Sequence, residues 1–70
     1  MDRQRVSSSN LHSVGYEPTT HTLQVQFIGG RIYDYFDVPE SVHQFLMSAI
    51  SKGSYFDNNI KDKYRTKRVL

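Results

Sequence analysis

Leu23, Val25 and Phe27 alternate with Gln24 and Gln26, the period of two expected of a strand with one buried and one wet face. Gly29-Gly30 follows, a pair that tolerates the positive φ angles of a hairpin turn, and Arg31 to Val38 has the aromatic and β-branched composition of a returning strand. Upstream, an extended run from Leu11 carries Val14 and Tyr16 on one side and Ser13 and Gly15 on the other, until Glu17-Pro18-Thr19-Thr20 supplies turn chemistry. The pattern predicts a three-stranded antiparallel β-meander.

The length of the glycine hairpin decides which face the following tyrosines occupy, because each added loop residue flips the parity of the returning strand. A two-residue loop would set Ile32, Asp34 and Phe36 beside Leu23, Val25 and Phe27, with a carboxylate in the core, which is costly. A three-residue loop with a glycine bulge sets Tyr33 and Tyr35 inward and Asp34 outward, and is the expected form. It leaves Ile28, Ile32 and Phe36 on the opposite face, an exposed apolar patch unless something covers it.

After Pro39, suited to the first turn of a helix, and Glu40, suited to its positive end, the period changes. Val42, Phe45, Leu46, Ala49 and Ile50 form an apolar stripe at helical spacing, with Glu40, His43, Gln44, Met47 and Ser48 outside it. Ser51-Lys52-Gly53 is expected to end this helix on a left-handed glycine. A second helix is expected from Ser54, with Asp57 three residues on and Phe56, Ile60 and Tyr64 recurring every four. The fold class is therefore α+β, a three-stranded antiparallel meander with two C-terminal helices packed on one face.

Seventy residues with 37% hydrophobic content allow one domain, since a chain this size buries only about 60% of its unfolded surface. Residues 1–9, with three serines and three charges, are expected to be a disordered tail, and 10–68 the domain. The absence of cysteine excludes a disulfide framework, a zinc finger and thiol catalysis. No apolar run approaches the roughly 18 residues of a membrane span, and Met1 to Asn10 is polar where a signal peptide needs an apolar stretch. A cytoplasmic protein with no membrane partner is expected.

The formal charge of +2 divides unevenly: +1 over residues 1–5, −3 over 6–51 and +4 from Lys52 onward. Clustered Lys and Arg can release counterions from a phosphate backbone, so the basic end is a candidate footprint for a polyanion. If the second helix continued past Tyr64, Lys61, Arg65 and Arg68 would share one face as a ridge about 10 Å long. The alternative is a solvated, charged chain end. His12, His21 and His43 match no metal or general-base spacing and are expected to be solvated. The serines lie in the tail, a turn and on helix surfaces, and Gly29-Gly30 lacks the spacing of a phosphate loop. No catalytic residue, metal site or cofactor is predicted. Tyr33 and Tyr35 are assigned to the core, with base stacking as the lesser alternative, and Tyr55, beside Lys52, is the stronger stacking candidate.

The ordered set Val14-Gly15-Tyr16-Glu17-Pro18, the Leu-x-Val-x-Phe strand at 23–27, Gly30, Tyr33-Asp34-Tyr35, Val38-Pro39, Ser51-Lys52-Gly53, Tyr55-Phe56 and Ile60 resembles the KTSC domain. That family, of about 60 residues, is named for its occurrence at the C-terminus of some lysyl-tRNA synthetases and also occurs as single-domain bacterial and phage proteins. The resemblance spans about Ser8 to Arg68 and implies a domain with no established activity, linked to RNA through its attachment to a tRNA-charging enzyme. Where members often carry a basic residue after the glycine and an amide after the phenylalanine, this chain has Ser54 and Asp57.

The expected function is a small non-enzymatic RNA-binding module for tRNA or single-stranded RNA. Lys52, Lys61, Lys63, Arg65, Lys67 and Arg68 would contact phosphates, and Tyr55, joined by Tyr33 or Tyr35, would stack on a base. The alternative is a protein-interaction or self-association module using Ile28, Ile32 and Phe36.

Overall fold

The structure is a computed structural model that describes residues 1–70. Its centre is the expected meander of β2 (Leu11–Glu17), β3 (Thr22–Phe27) and β4 (Ile32–Tyr35). Pairing of Val25 with Tyr33 and Leu23 with Tyr35 gives the parity that keeps Asp34 out of the core. The loop that achieves it is Ile28-Gly29-Gly30, closed by a bond from the Phe27 amide to the Arg31 carbonyl at 2.8 Å. Gly29 and Gly30 have φ of 108° and 104°, a region closed to most side chains. A register shift between Leu11 and Ser13 leaves His12 as an extra residue in β2. That bulge lets Leu11 and Val14, at an odd spacing, both face the core.

The sheet has five strands rather than three, because both chain ends add an edge. In β1 (Gln4–Arg5), Gln4 pairs with Val14 and Arg5 with Ser13. In β5 (Thr66–Arg68), the residues run antiparallel to β4 with Arg68 opposite Tyr33 and Lys67 opposite Asp34. The contact continues as the Val69 amide donates to the Ile32 carbonyl at 2.8 Å. The sheet order is β1-β2-β3-β4-β5, antiparallel throughout. The N-terminal segment expected as a disordered tail thus contributes the edge strand Gln4–Arg5, and the chain after Tyr64 forms a strand, not a helix.

Arg3 secures the N-terminal end by donating from Nη1 to Gln24 Oε1 at 2.7 Å, from Nη2 to Gln26 Oε1 at 3.1 Å and from Nε to Ser13 Oγ at 3.2 Å. These partners lie on the sheet face away from the helices, where Gln24 also donates to Asp34 at 2.9 Å. The Ile28, Ile32 and Phe36 patch does not survive as an open surface. Ile32 is only 8% exposed, Phe36 is half-buried with the Arg65 guanidinium 5.2 Å above its ring, and Ile28 alone stays open.

On the other face pack α1 (Glu40–Ser48) and α2 (Lys52–Asn59). The core joins Leu11 and Val14 of β2, Leu23 and Val25 of β3, and Tyr35 of β4 to Val38, Leu46, Phe56 and Ile60. In α1 only Leu46 is buried, Val42 and Met47 pack partly against the core, and Phe45 points to solvent at 60% exposure; Ile50, expected on the same stripe, lies beyond the end of the helix and is fully exposed at 106%. Relative to the expected stripe the helix is turned by roughly 60°, at 100° per residue. The turn brings the His43 ring parallel to Tyr16 at 4.9 Å, so His43 is not a solvated side chain. His12 also bonds Ser13 Oγ, and of the three histidines only His21 is exposed.

Helix α2 begins earlier than expected. Ser51 is its N-cap, with Oγ accepting from the Ser54 amide at 3.3 Å, and Gly53 lies inside the helix rather than capping α1. Its end is marked by the Ile60 and Lys61 amides both donating to the Phe56 carbonyl, and Asp62 then turns the chain at φ 60° toward β5.

Candidate ligand-binding cleft

Between the β3–β4 hairpin and α2 lies an open cleft of about 460 Å³. Its apolar floor is Phe27, Tyr35 and Phe56, whose rings meet edge to face: Phe56 is 5.5 Å from both Phe27 and Tyr35. Tyr33 forms a wall, half-buried and held at 81° to Phe27 at 5.8 Å. Edge-to-face packing of this kind fixes ring planes as well as burying area. Tyr35, at 6% exposure, has its phenol pushed up to about 12, by burial first and then by Tyr33 and Asp62. It stays neutral at any physiological pH and serves as floor.

The rim is polar. Arg31, at the start of the returning chain, and Lys61, just beyond α2, bring two cations, Asp57 of α2 one carboxylate, and Asn10 an amide. Arg68 lies directly across the strand pair from Tyr33, on the same sheet face.

Asn10 is held in place. Ser8 Oγ accepts from the amides of Asn10 and Leu11 at 3.3 and 3.2 Å, and donates to Asn10 Oδ1 at 3.0 Å. Against the same side chain sits Gly53, where any Cβ would collide with Asn10 Oδ1. The glycine of the Ser-Lys-Gly segment accommodates this close approach, and α2 forms one wall of the cleft. A smaller polar recess of about 300 Å³ continues past Asn10 and Asp57 to Ser51, Lys52 and Ser54.

The basic residues do not form one ridge. Lys61 lines the cleft, Lys52 donates to the Ala49 carbonyl at 3.2 Å in the polar recess, and Lys63 is exposed in the turn after α2. Arg65 pairs with Asp37 at 3.8 Å, both largely exposed, while Lys67 faces Asp34 on the opposite side of the sheet from Arg68. The helical spacing of Lys61, Arg65 and Arg68 is lost because α2 stops at Asn59. Tyr33 and Tyr55 are both half-buried and both pack partly against the core; Tyr33 lines the cleft, and Tyr55 lies outside it. Asn10, Arg31 and Asp57 were not singled out for binding from sequence: they are scattered singly along the chain, and no spacing joins them.

A five-stranded antiparallel sheet with two helices on one face defines a small α+β domain, and residues 7–64 match the KTSC domain family model. The chain belongs to the KTSC domain family. It is 46% identical over 61 residues to a lysine-tRNA ligase of Nostoc sp., a match covering 87% of this chain but 11% of the ligase. The chain therefore spans about a tenth of that relative's length. An uncharacterised protein of Stutzerimonas stutzeri is 40% identical over 70 residues, covering 99% of both chains. The crystal structure of a KTSC domain protein from Yersinia pestis superposes with a TM-score of 0.93 at 46% identity, over 99% of this chain and 97% of that one. No helix is long and apolar enough to cross a membrane.

Proposed function

We propose that this KTSC domain is a small non-enzymatic module that binds single-stranded RNA, with the hairpin–α2 cleft as its site. The observation that carries the proposal is the juxtaposition of a half-buried Tyr33 with Arg31 and Lys61 in one open cleft, and Arg68 across the strand from that tyrosine. An aromatic wall accepts any base face, and cations at the rim follow the phosphates. The identity to part of a lysine-tRNA ligase supports RNA as the polymer.

Backbone amide NMR titration with uridine-rich single-stranded RNA at two salt concentrations tests the proposal. Lys61→Ala and Arg31→Ala each lower the salt slope by about one unit, whereas Tyr33→Leu keeps the slope and weakens binding by about 1–3 kcal/mol. Absence of binding at low salt, or shifts confined to residues outside the cleft, refutes it.

A further inference from the structure

Asp57 sits in a rim that otherwise suits phosphate, and a carboxylate there repels a polyanion unless it meets a hydrogen-bond donor. It has no protein partner: the only ion pair of the molecule is Arg65–Asp37, and no side chain donates to Asp57. Asn10, which lines the same cleft, has an orientation set by its neighbours. The Ser8 hydroxyl accepts from two backbone amides, so its proton goes to Asn10 Oδ1, and Nδ2 is left as the free donor.

The rim therefore offers two adjacent acceptor oxygens, one amide donor and an aromatic wall. Among the four RNA bases only guanine presents the complement on one edge: the neighbouring N1–H and N2–H donors, with O6 beside them as acceptor. Adenine and cytosine each set a ring-nitrogen lone pair next to their amino group, facing the carboxylate, and uracil has a single donor between two carbonyls.

Building on the RNA-binding proposal, we infer that the cleft is a guanine-selective base pocket in which Asp57 accepts from N1–H and N2–H, Asn10 Nδ2 donates to O6, and Tyr33 packs on the ring. The recognised chemistry is the guanine base, carried either by single-stranded RNA or by a free guanine nucleotide.

The test uses the full chain in amide NMR titrations with a uridine hexamer carrying one guanine, the same hexamer carrying one adenine, 5′-GMP and 5′-AMP, at low salt. The guanine hexamer binds about five- to tenfold more tightly than the adenine hexamer, the lower part of the range for a bidentate base contact because the pocket is open. Its shifts centre on Asn10, Tyr33 and Asp57. Asp57→Asn, at an exposed helix position, abolishes that preference while leaving adenine binding equal or stronger, since a negative charge is lost. Equal binding of both hexamers, or a guanine preference that persists in Asp57→Asn, overturns the pocket and leaves the RNA-binding proposal standing. Selective binding of 5′-GMP without either hexamer upholds the pocket and removes RNA as its source. If neither hexamers nor nucleotides bind, both proposals fall.

Discussion

Replacing Gly53 by alanine sets two effects against each other. In a helix interior the substitution ordinarily stabilises by up to about 1 kcal/mol, because alanine loses less backbone entropy. Gly53 is the second residue of α2, and an added Cβ meets Asn10 Oδ1 within contact distance and Asn10 Cγ at 3.3 Å. To make room, either Asn10 swings away and gives up its bond to Ser8, worth about 0.5–1.5 kcal/mol, or α2 shifts and loosens the packing of Phe56 and Ile60 against the sheet, at a cost of about 1–3 kcal/mol. Moving Asn10 is the cheaper route and its cost offsets the helix gain, so Gly53→Ala is expected to be neutral to slightly destabilising, by up to about 0.5 kcal/mol, a fall in Tm of no more than about 4 °C for a domain of this size. In an Asn10→Ala background the obstacle is gone and the propensity term alone remains, so the same substitution becomes neutral to stabilising. Thermal and urea unfolding followed by far-UV circular dichroism on the four proteins of this double-mutant cycle reads the coupling directly. A stabilising Gly53→Ala in the wild-type background, or an equal cost in both, would refute the close-approach account.

Arg3→Ala removes all three side-chain bonds to Ser13, Gln24 and Gln26 and is expected to cost about 1–2 kcal/mol, with lost hydrogen-exchange protection in β1. A disordered tail would show neither change. Tyr35 is held neutral to about pH 12 against an ordinary 10, so its contribution is fully present below pH 10 and is lost as pH rises toward 12. That amounts to about 2–3 kcal/mol at 1.36 kcal/mol per unit, and alkaline unfolding of Tyr35→Phe should lack this component. His43 is pushed below its ordinary 6.5, by desolvation against a smaller opposing pull from Glu40. Its contribution is present above pH 6.5 and declines as pH falls below it, because the unfolded chain then binds the proton first. His43→Gln should flatten the stability profile between pH 7 and 5, and an unchanged profile would count against the stacked, desolvated ring.

The central meander is written in side-chain periodicity, and so is its parity. Leu23, Val25 and Phe27 need one face, Asp34 must avoid it, and Gly29-Gly30 permits the loop length that satisfies both. The existence of two helices and the role of Leu46, Phe56 and Ile60 in burying them are equally local. The family was legible in the ordered motifs from Val14 to Ile60. Other features have no local signature. β1 and β5 are held by backbone hydrogen bonds, which any non-proline residue makes, so Gln4-Arg5 and Thr66-Lys67-Arg68 show no alternation to read. The facing of α1 depends on what stands opposite, and the Tyr16 ring draws His43 inward while Phe45 turns out.

The cleft follows the same division. Tyr33 and Lys61 stood out in the chain as an aromatic residue and a base, but their relation to Asn10, Arg31 and Asp57 exists only once hairpin, bulged strand and second helix are packed. Sequence alone determined the inward face, the turn and the amphipathic runs, because each depends on neighbours within a few residues. Tertiary structure decided the edges, the facing of α1 and the composition of the cleft, because these depend on which distant surfaces remain free after the core has closed.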